Sequence, residues 1–144
     1  MSAEHVAVVN SIYQAFGAGD VPSVLEHMAP DVDWEYAWVG SPMPWLQPGR
    51  GPAHVAEFLK TMAEQLEFRA FDVNYMLAGD GVVVALVSLE ARVRSTGRVI
   101  TEVDEPQIWH FDEASRVVRF RHAADTLQHA EALGFEVRAP AVSH

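Results

Sequence analysis

The side chains able to move protons are plentiful in this sequence: seven histidines and twenty Asp and Glu residues. Histidine is the side chain best suited to proton transfer near neutral pH. Cysteine is absent, which removes a thiolate nucleophile, a disulfide frame and a Cys-based zinc site. His5, His27, His54, His129 and His144 lack the paired spacing of metal ligands, and no Gly-rich phosphate loop is found. Glu105, Gln107 and Trp109 alternate along one stretch, and Phe120, His122 and Ala124 along another. At a strand's period of two, each trio shares a face. His110 is out of phase with Gln107. Asp31, Asp33 and Glu35 alternate with Val32, Trp34 and Tyr36, so they are expected on a solvated strand face. Asp125, three residues before Gln128, reads as a helix cap rather than a catalytic acid.

The elements that must position these groups follow from the apolar periods. Val6, Val9, Ile12, Tyr13 and Phe16 recur at helical spacing, and Gly17 to Gly19 end that helix. Asp20 caps a second, shorter helix with Pro22 in its first turn and Val21, Val24, Leu25 and Met28 on its apolar face, closed by Pro30. Residues 31–38 read as a strand with Val32, Trp34, Tyr36 and Trp38 on one face. A proline-rich loop over residues 40–51 leads to Pro52, which opens a third helix with Val55, Phe58, Leu59, Met62 and Leu66 as its stripe. Four strands follow, at about 68–78, 82–94, 98–111 and 116–124, with short turn clusters between them. That spacing predicts an antiparallel meander, and a last short helix follows it. Helices on one side of a curved antiparallel sheet make an α+β fold.

Composition excludes several partners. The 144 residues make one domain, spanning 1–144, with 49% hydrophobic and 21% charged residues, a globular balance. The formal charge is −10, which argues against nucleic acid and against an anionic membrane surface, since both are bound by cationic side chains. The stretch Met1 to Asn10 has neither the basic start nor the apolar run of a signal peptide, and Val82 to Val87 is too short to span a bilayer. A cytoplasmic location is the expectation.

The element order resembles the nuclear transport factor 2-like superfamily, and more narrowly its SnoaL-like and ketosteroid isomerase-related branch. The matching pieces are Ala18-Gly19-Asp20, Ala29-Pro30-Asp31-Val32-Asp33-Trp34, Gly49-Arg50-Gly51 before Val55-Ala56-Glu57-Phe58, Thr96-Gly97-Arg98, and Arg116-Val117-Val118-Arg119-Phe120-Arg121. Together they cover about residues 5 to 133. The resemblance implies a cone-shaped, curved antiparallel sheet (an α+β roll of the cystatin-like kind) packed on three N-terminal helices, with a short C-terminal helix. It also implies a cavity inside the cone and a homodimer through the outer sheet face, where Leu86, Ile108 and Phe111 supply apolar positions. It turns Trp34, Tyr36 and Trp38 inward, and likewise Val83, Ala85, Val87 and Leu89, then Glu105, Gln107 and Trp109, then Phe120, His122 and Ala124. A slip of one residue would invert each set.

The known chemistries of such proteins can be tested against these positions. The isomerase base and its two oxyanion donors would fall at Tyr36, Ile12 and Gln107; Ile12 donates nothing, and a phenol is a poor base. Tyr13, adjacent to Ile12, is about 100° away around the helix. The Asp-Arg-Asp set of the epoxide hydrolases would fall at Val87, Leu89 and His122, two of them apolar. The Asp and His of the SnoaL-type cyclases match His122 and Gln107. One titratable group thus remains in the decisive place, His122, with Glu105 and Gln107 in reach across adjacent strands. The resemblance therefore implies a cofactor-free, metal-free enzyme acting on a small apolar or aromatic carbonyl compound by proton transfer. His122 is its acid or base, Glu105 holds the imidazole, and Gln107 and Tyr36 orient the carbonyl. Trp34, Trp38, Trp109, Phe120, Phe58, Met62 and Leu89 are the substrate-binding set. The alternative is a binding module for an apolar metabolite that needs only the aromatic box, and a protein-interaction scaffold ranks behind both.

Overall fold

The structure is a computed structural model that describes residues 2–136 and 138; Met1 and His144 lie outside the described residues. Helix α1 (Ser2–Gly17) buries His5, Val9, Ile12 and Ala15, the stripe its 3.6-residue period dictates. Asp20 caps α2 (Val21–Leu25) by accepting the Ser23 backbone N–H at 3.2 Å, and Pro22 sits in the first turn, where its missing N–H costs nothing. This helix is shorter than its apolar spacing suggests. The chain turns at Glu26 and His27, and Met28 opens strand β1 (Met28–Trp34) by pairing with Val117. Met28 is buried as anticipated, but as a strand residue, because an open sheet edge offers its backbone ladder partners that a fraying helix end lacks.

β1 stops at Trp34, four residues before the expected end. Glu35 has φ 55°, a left-handed conformation that few side chains adopt and that breaks the alternation. Beyond it comes a long loop, a two-residue strand β2 (Gly49–Arg50) paired to β1, and helix α3 (Pro52–Gln65). The Gly-Arg-Gly motif has a steric reason. Gly51 takes φ 87° at the helix N-cap, and a Cβ on Gly49 would run into the His54 ring.

Strands β3 (Leu66–Gly79), β4 (Val82–Val93), β5 (Val99–Phe111) and β6 (Val117–His122) form the antiparallel meander, and α4 (Thr126–Leu133) follows, capped by Asp125. The sheet order is β2-β1-β6-β5-β4-β3, and β1 lies parallel to β6. Register shifts bend the long strands, as bulges do. One of them matters for the interior. Val87 pairs with Glu105 and Leu89 with Glu102, with Asp104 at φ 50° between them, so both Glu102 and Glu105 turn inward and are buried.

The curled sheet and helices enclose two apolar clusters. One joins α1, α2, β1 and α3 around Val9, Ile12, Trp34, Phe58, Trp109 and Phe120. The other gathers Met43, Trp45 and Leu46 of the long loop with Leu66, Ala91, Val93, Ile100 and Ala132. Each such side chain contributes roughly 1.5–3 kcal/mol when fully buried, so the loop is held as firmly as a regular element. Among the described residues no helix is long and apolar enough to cross a membrane.

Candidate functional site

A cavity of about 100 Å³ lies between the two clusters, on the scale of a single six-membered ring. Its aromatic wall is made by β1, β5 and β6. Trp34 stacks on Phe120 with centroids 4.3 Å apart, and Trp109 lies 4.2 Å from the same ring. Phe58 meets Trp34 edge-on at 5.7 Å. Trp34, Trp109, Phe120, Phe58, Met62 and Leu89 all line this space.

Three polar groups interrupt the apolar lining. The first is His122 at the end of β6. Its side chain is 13% exposed, and its Nδ1 forms a close ion pair with Oε2 of Glu35, which is wholly buried. The other Glu35 oxygen, Oε1, accepts the His122 backbone N–H at 3.1 Å. Glu35 is itself fixed, since its own N–H donates to the Phe120 carbonyl at 2.7 Å. Burial pulls the His122 pKa down, but the charge and close contact of Glu35, helped by Glu105 and Glu102, outweigh it and raise the pKa to about 9. At neutral pH the ring is therefore an imidazolium. Nδ1 is engaged by Glu35, which leaves Nε2–H as the nitrogen that can serve a ligand.

The second group is a directed chain of hydrogen bonds. Trp109 Nε1 donates to the Tyr13 hydroxyl at 3.1 Å, Tyr13 donates to Gln107 Oε1 at 2.7 Å, and Gln107 Nε2 donates to Glu105 Oε1 at 2.9 Å. Every donor has a defined acceptor, so the Gln107 amide has one sensible orientation. Burial raises the Tyr13 pKa and the Glu105 charge adds to it, against the Trp109 bond, so the phenol stays protonated. Burial also raises the pKa of Glu105, opposed by the charge of His122 and the Gln107 bond. Gln107 is the direct cross-strand partner of His122, and Glu105 is two residues along on the same face. A cationic donor and a carboxyl group therefore stand side by side on one wall.

The third group closes the far end. Trp45 Nε1 donates to His129 Nδ1 at 2.9 Å, and His129 Nε2 lies 3.0 Å from Glu102 Oε1, which also accepts the Asp125 backbone N–H at 2.8 Å. An indole can only donate, so Nδ1 is the acceptor and the ring is the neutral Nε2–H tautomer.

Several sequence-based expectations are corrected by this geometry. Tyr36 does not face the cavity. The left-handed turn at Glu35 rotates it to the outer face, where Arg119 stacks on its ring at 4.1 Å. The same turn takes Trp38 away from the cavity and into a separate outer hollow, although its ring remains 6.1 Å from that of His122. Glu35, expected in solvent, is the innermost carboxylate. It, rather than Glu105, holds the imidazole. Tyr13, displaced by one helical step from the position tested, still lines the cavity beside Ile12. His129, Glu102 and Trp45 carried no motif. The usable signal was the run Met43, Trp45 and Leu46, three bulky apolar residues in a loop that was otherwise proline-rich. Among the described residues no cluster of His, Asp and Glu could hold a metal ion.

A profile of the SnoaL-like domain matches residues 9–120. Among curated proteins none matches the sequence. Among solved structures, an NTF2-like protein from Burkholderia xenovorans is similar at 26% identity and TM-score 0.81, covering 92% of this chain and 97% of that one. TerC, co-crystallised with polyporic acid, is similar in fold at 21% identity and TM-score 0.73, covering 90% of this chain and 98% of that one. So is a Mycobacterium tuberculosis protein in complex with estradiol-17beta-hemisuccinate, at 16% identity and TM-score 0.70, covering 89% of this chain and 98% of that one.

Proposed function

The chain belongs to the SnoaL-like domain family, within the NTF2-like superfamily, and from that premise we propose that it is a small-molecule enzyme that moves protons on an apolar, enolisable carbonyl compound without a cofactor. The observation that carries this reading is the His122–Glu35 pair at the cavity wall, a cation held ready inside an aromatic box. His122 Nε2–H polarises the carbonyl oxygen. Glu105, whose basicity burial raises, removes a proton from the adjacent carbon. The C–H electron pair becomes the C=C bond of the enol as the oxygen takes the imidazolium proton. Returning the proton to the same carbon restores the ketone, and returning it elsewhere along a conjugated system gives an isomer. Gln107 and Tyr13 fix the direction of Glu105. The size of the cavity favours a single ring or a flat edge of a larger one. Two neighbours of the same fold, bound to polyporic acid and to estradiol-17beta-hemisuccinate, are in keeping with a flat, largely apolar ligand.

The test is deuterium exchange. Single-ring enolisable ketones are incubated with the protein in D₂O, and loss of the α-proton signal is followed by NMR. Exchange well above the buffer rate, lost in the E35Q/H122N double variant, supports the reading. The same exchange rate in protein and buffer across the series contradicts it. A second reading, a binding module, is favoured by the largely aromatic and apolar lining of the cavity. Native mass spectrometry of a copurified ligand without an acidic C–H would support that alternative.

A further inference from the structure

Three tryptophans line the cavity, and the indole N–H groups of two are already engaged. Trp45 donates to His129 at 2.9 Å, and Trp109 donates to the Tyr13 hydroxyl at 3.1 Å. Trp34 differs. The residue is 3% exposed, and its Nε1 is buried without a hydrogen-bond partner among the described residues. The rings packed on it cannot supply one. Phe120 at 4.3 Å and Phe58 at 5.7 Å carry no acceptor, and the indole of Trp109 at 6.0 Å only donates. The sheet fixes the position, since Trp34 pairs with Gly49 of β2 on one side and with Phe120 of β6 on the other. A buried donor left without an acceptor is destabilising, and a Phe would fill the same wall without that cost. The space beside the ring that has room for an acceptor is the cavity it lines.

We infer that the Trp34 N–H is a second donor to the ligand, so that the cavity takes an uncharged six-membered ring bearing two oxygens across it, a carbonyl at His122 and a ketone, hydroxyl or ether oxygen at Trp34. The inference rests on the reading of His122 Nε2–H as the donor to the carbonyl. The two donors share a wall. His122 follows Phe120 by two residues on β6, with ring centroids 6.2 Å apart, and Trp34 is the cross-strand partner of Phe120 on β1. One aromatic ring thus lies between the imidazole and the indole, and a flat ring along that wall reaches both with opposite edges. Held at both ends, it cannot pivot about its carbonyl, and one α-carbon is kept toward Glu105. The second oxygen is a neutral one. Glu35 and Glu105 border the same space and disfavour a second carboxylate, whereas an indole is an uncharged donor suited to an uncharged acceptor.

The probes are cyclohexane-1,4-dione, which carries the second oxygen, and 4-methylcyclohexanone, which carries a methyl group in its place. Proton–nitrogen NMR reads the indole N–H signals of the four tryptophans directly. Changing each Trp in turn to Phe assigns them, and W38F, W45F and W109F assign Trp34 by elimination if W34F does not fold. The dione is expected to move the Trp34 signal downfield, as a new acceptor does, and 4-methylcyclohexanone to leave it close to its free position. In W34F the ratio of the dione's affinity to that of 4-methylcyclohexanone should fall about fivefold, the worth of one hydrogen bond. Exchange of α-protons in D₂O is followed for both probes in parallel. A shifted Trp34 signal without exchange upholds the second donor while the proton-transfer reading fails. Exchange with an unmoved Trp34 signal does the reverse. No binding of the dione, an equal shift with both probes, or an unchanged affinity ratio in W34F overturns the inference.

Discussion

Glu35 holds His122 twice, accepting its backbone N–H at 3.1 Å with one carboxylate oxygen and pairing with ring Nδ1 through the other. The carboxylate reaches this position because its own backbone sits at φ 55°. Strain of this kind persists where surrounding contacts over-determine it, and it gathers at functional sites. Here a strained residue delivers a wholly buried carboxylate to His122 on the aromatic wall.

The pair makes stability depend on pH in a defined direction. His122 has a folded-state pKa of about 9, raised from 6.5. The stabilisation it brings is fully present below pH 6.5 and is lost as pH rises through 9. Urea unfolding at a series of pH values should therefore show stability falling across that window, by an amount on the order of 3 kcal/mol. E35Q should lose this slope while keeping the shape of the side chain.

Breaking the pair from its two sides should not cost the same. H122N leaves a buried carboxylate unpaired, a change worth about 3–5 kcal/mol. E35Q leaves an imidazole that can shed its proton, so it should cost less. The double variant E35Q/H122N should cost less than the two single changes added together, by about 2 kcal/mol. Additive costs in a double-mutant cycle of unfolding free energies would show that the two residues are not coupled.

Glu105 moves stability the same way with pH, through burial of its carboxyl group rather than through an ion pair. Its folded-state pKa is raised by burial above the usual 4.5, so the folded protein binds that proton more tightly than the unfolded chain. Stability from this group therefore falls as pH climbs through the window above 4.5. E105Q retains an oxygen for the Gln107 amide and removes the buried charge. It is expected to raise Tm at pH 7 by about 3 °C while abolishing α-proton exchange. An unchanged or lower Tm at pH 7 contradicts this account of Glu105.

The loop that closes the cavity depends on a glycine. A Cβ on Gly49 would displace the His54 ring, whose Nε2 lies 2.9 Å from the Gln47 carbonyl. G49A should destabilise the fold by roughly 1–2 kcal/mol, measured by chemical denaturation. A neutral effect would mean that His54 does not anchor the loop.

Much of this arrangement was legible in the sequence, for a physical reason. Elements buried on one face announce themselves by their period, so α1, α3 and the four long strands could be read from apolar spacing alone. Asp20 and Asp125 cap their helices because the local chemistry of a helix start does not depend on the rest of the fold. Strand parity likewise brought Glu105, Gln107, Trp109, Phe120 and His122 to a common interior. Parity failed where a single residue breaks the alternation. At Glu35 and at Asp104 a positive φ resets the phase, and no residue type there demands it, since both are ordinary acidic side chains. The first reset hid Glu35 and misplaced Tyr36 and Trp38. The second hid Glu102. Met28 was misplaced because its ladder partner, Val117, is 89 positions away along the chain, beyond the reach of any local pattern. The buried loop around Trp45 was missed because prolines mark where a chain bends and not which side it covers.

The most direct measurement is the titration of the His122 ring by NMR, in the wild type and in E35Q. A cation held by Glu35 predicts a wild-type midpoint near 9 and a fall of about two units or more in E35Q. A wild-type midpoint near 6.5, or a midpoint that E35Q leaves unmoved, would contradict the claim that Glu35 keeps His122 charged inside the cavity.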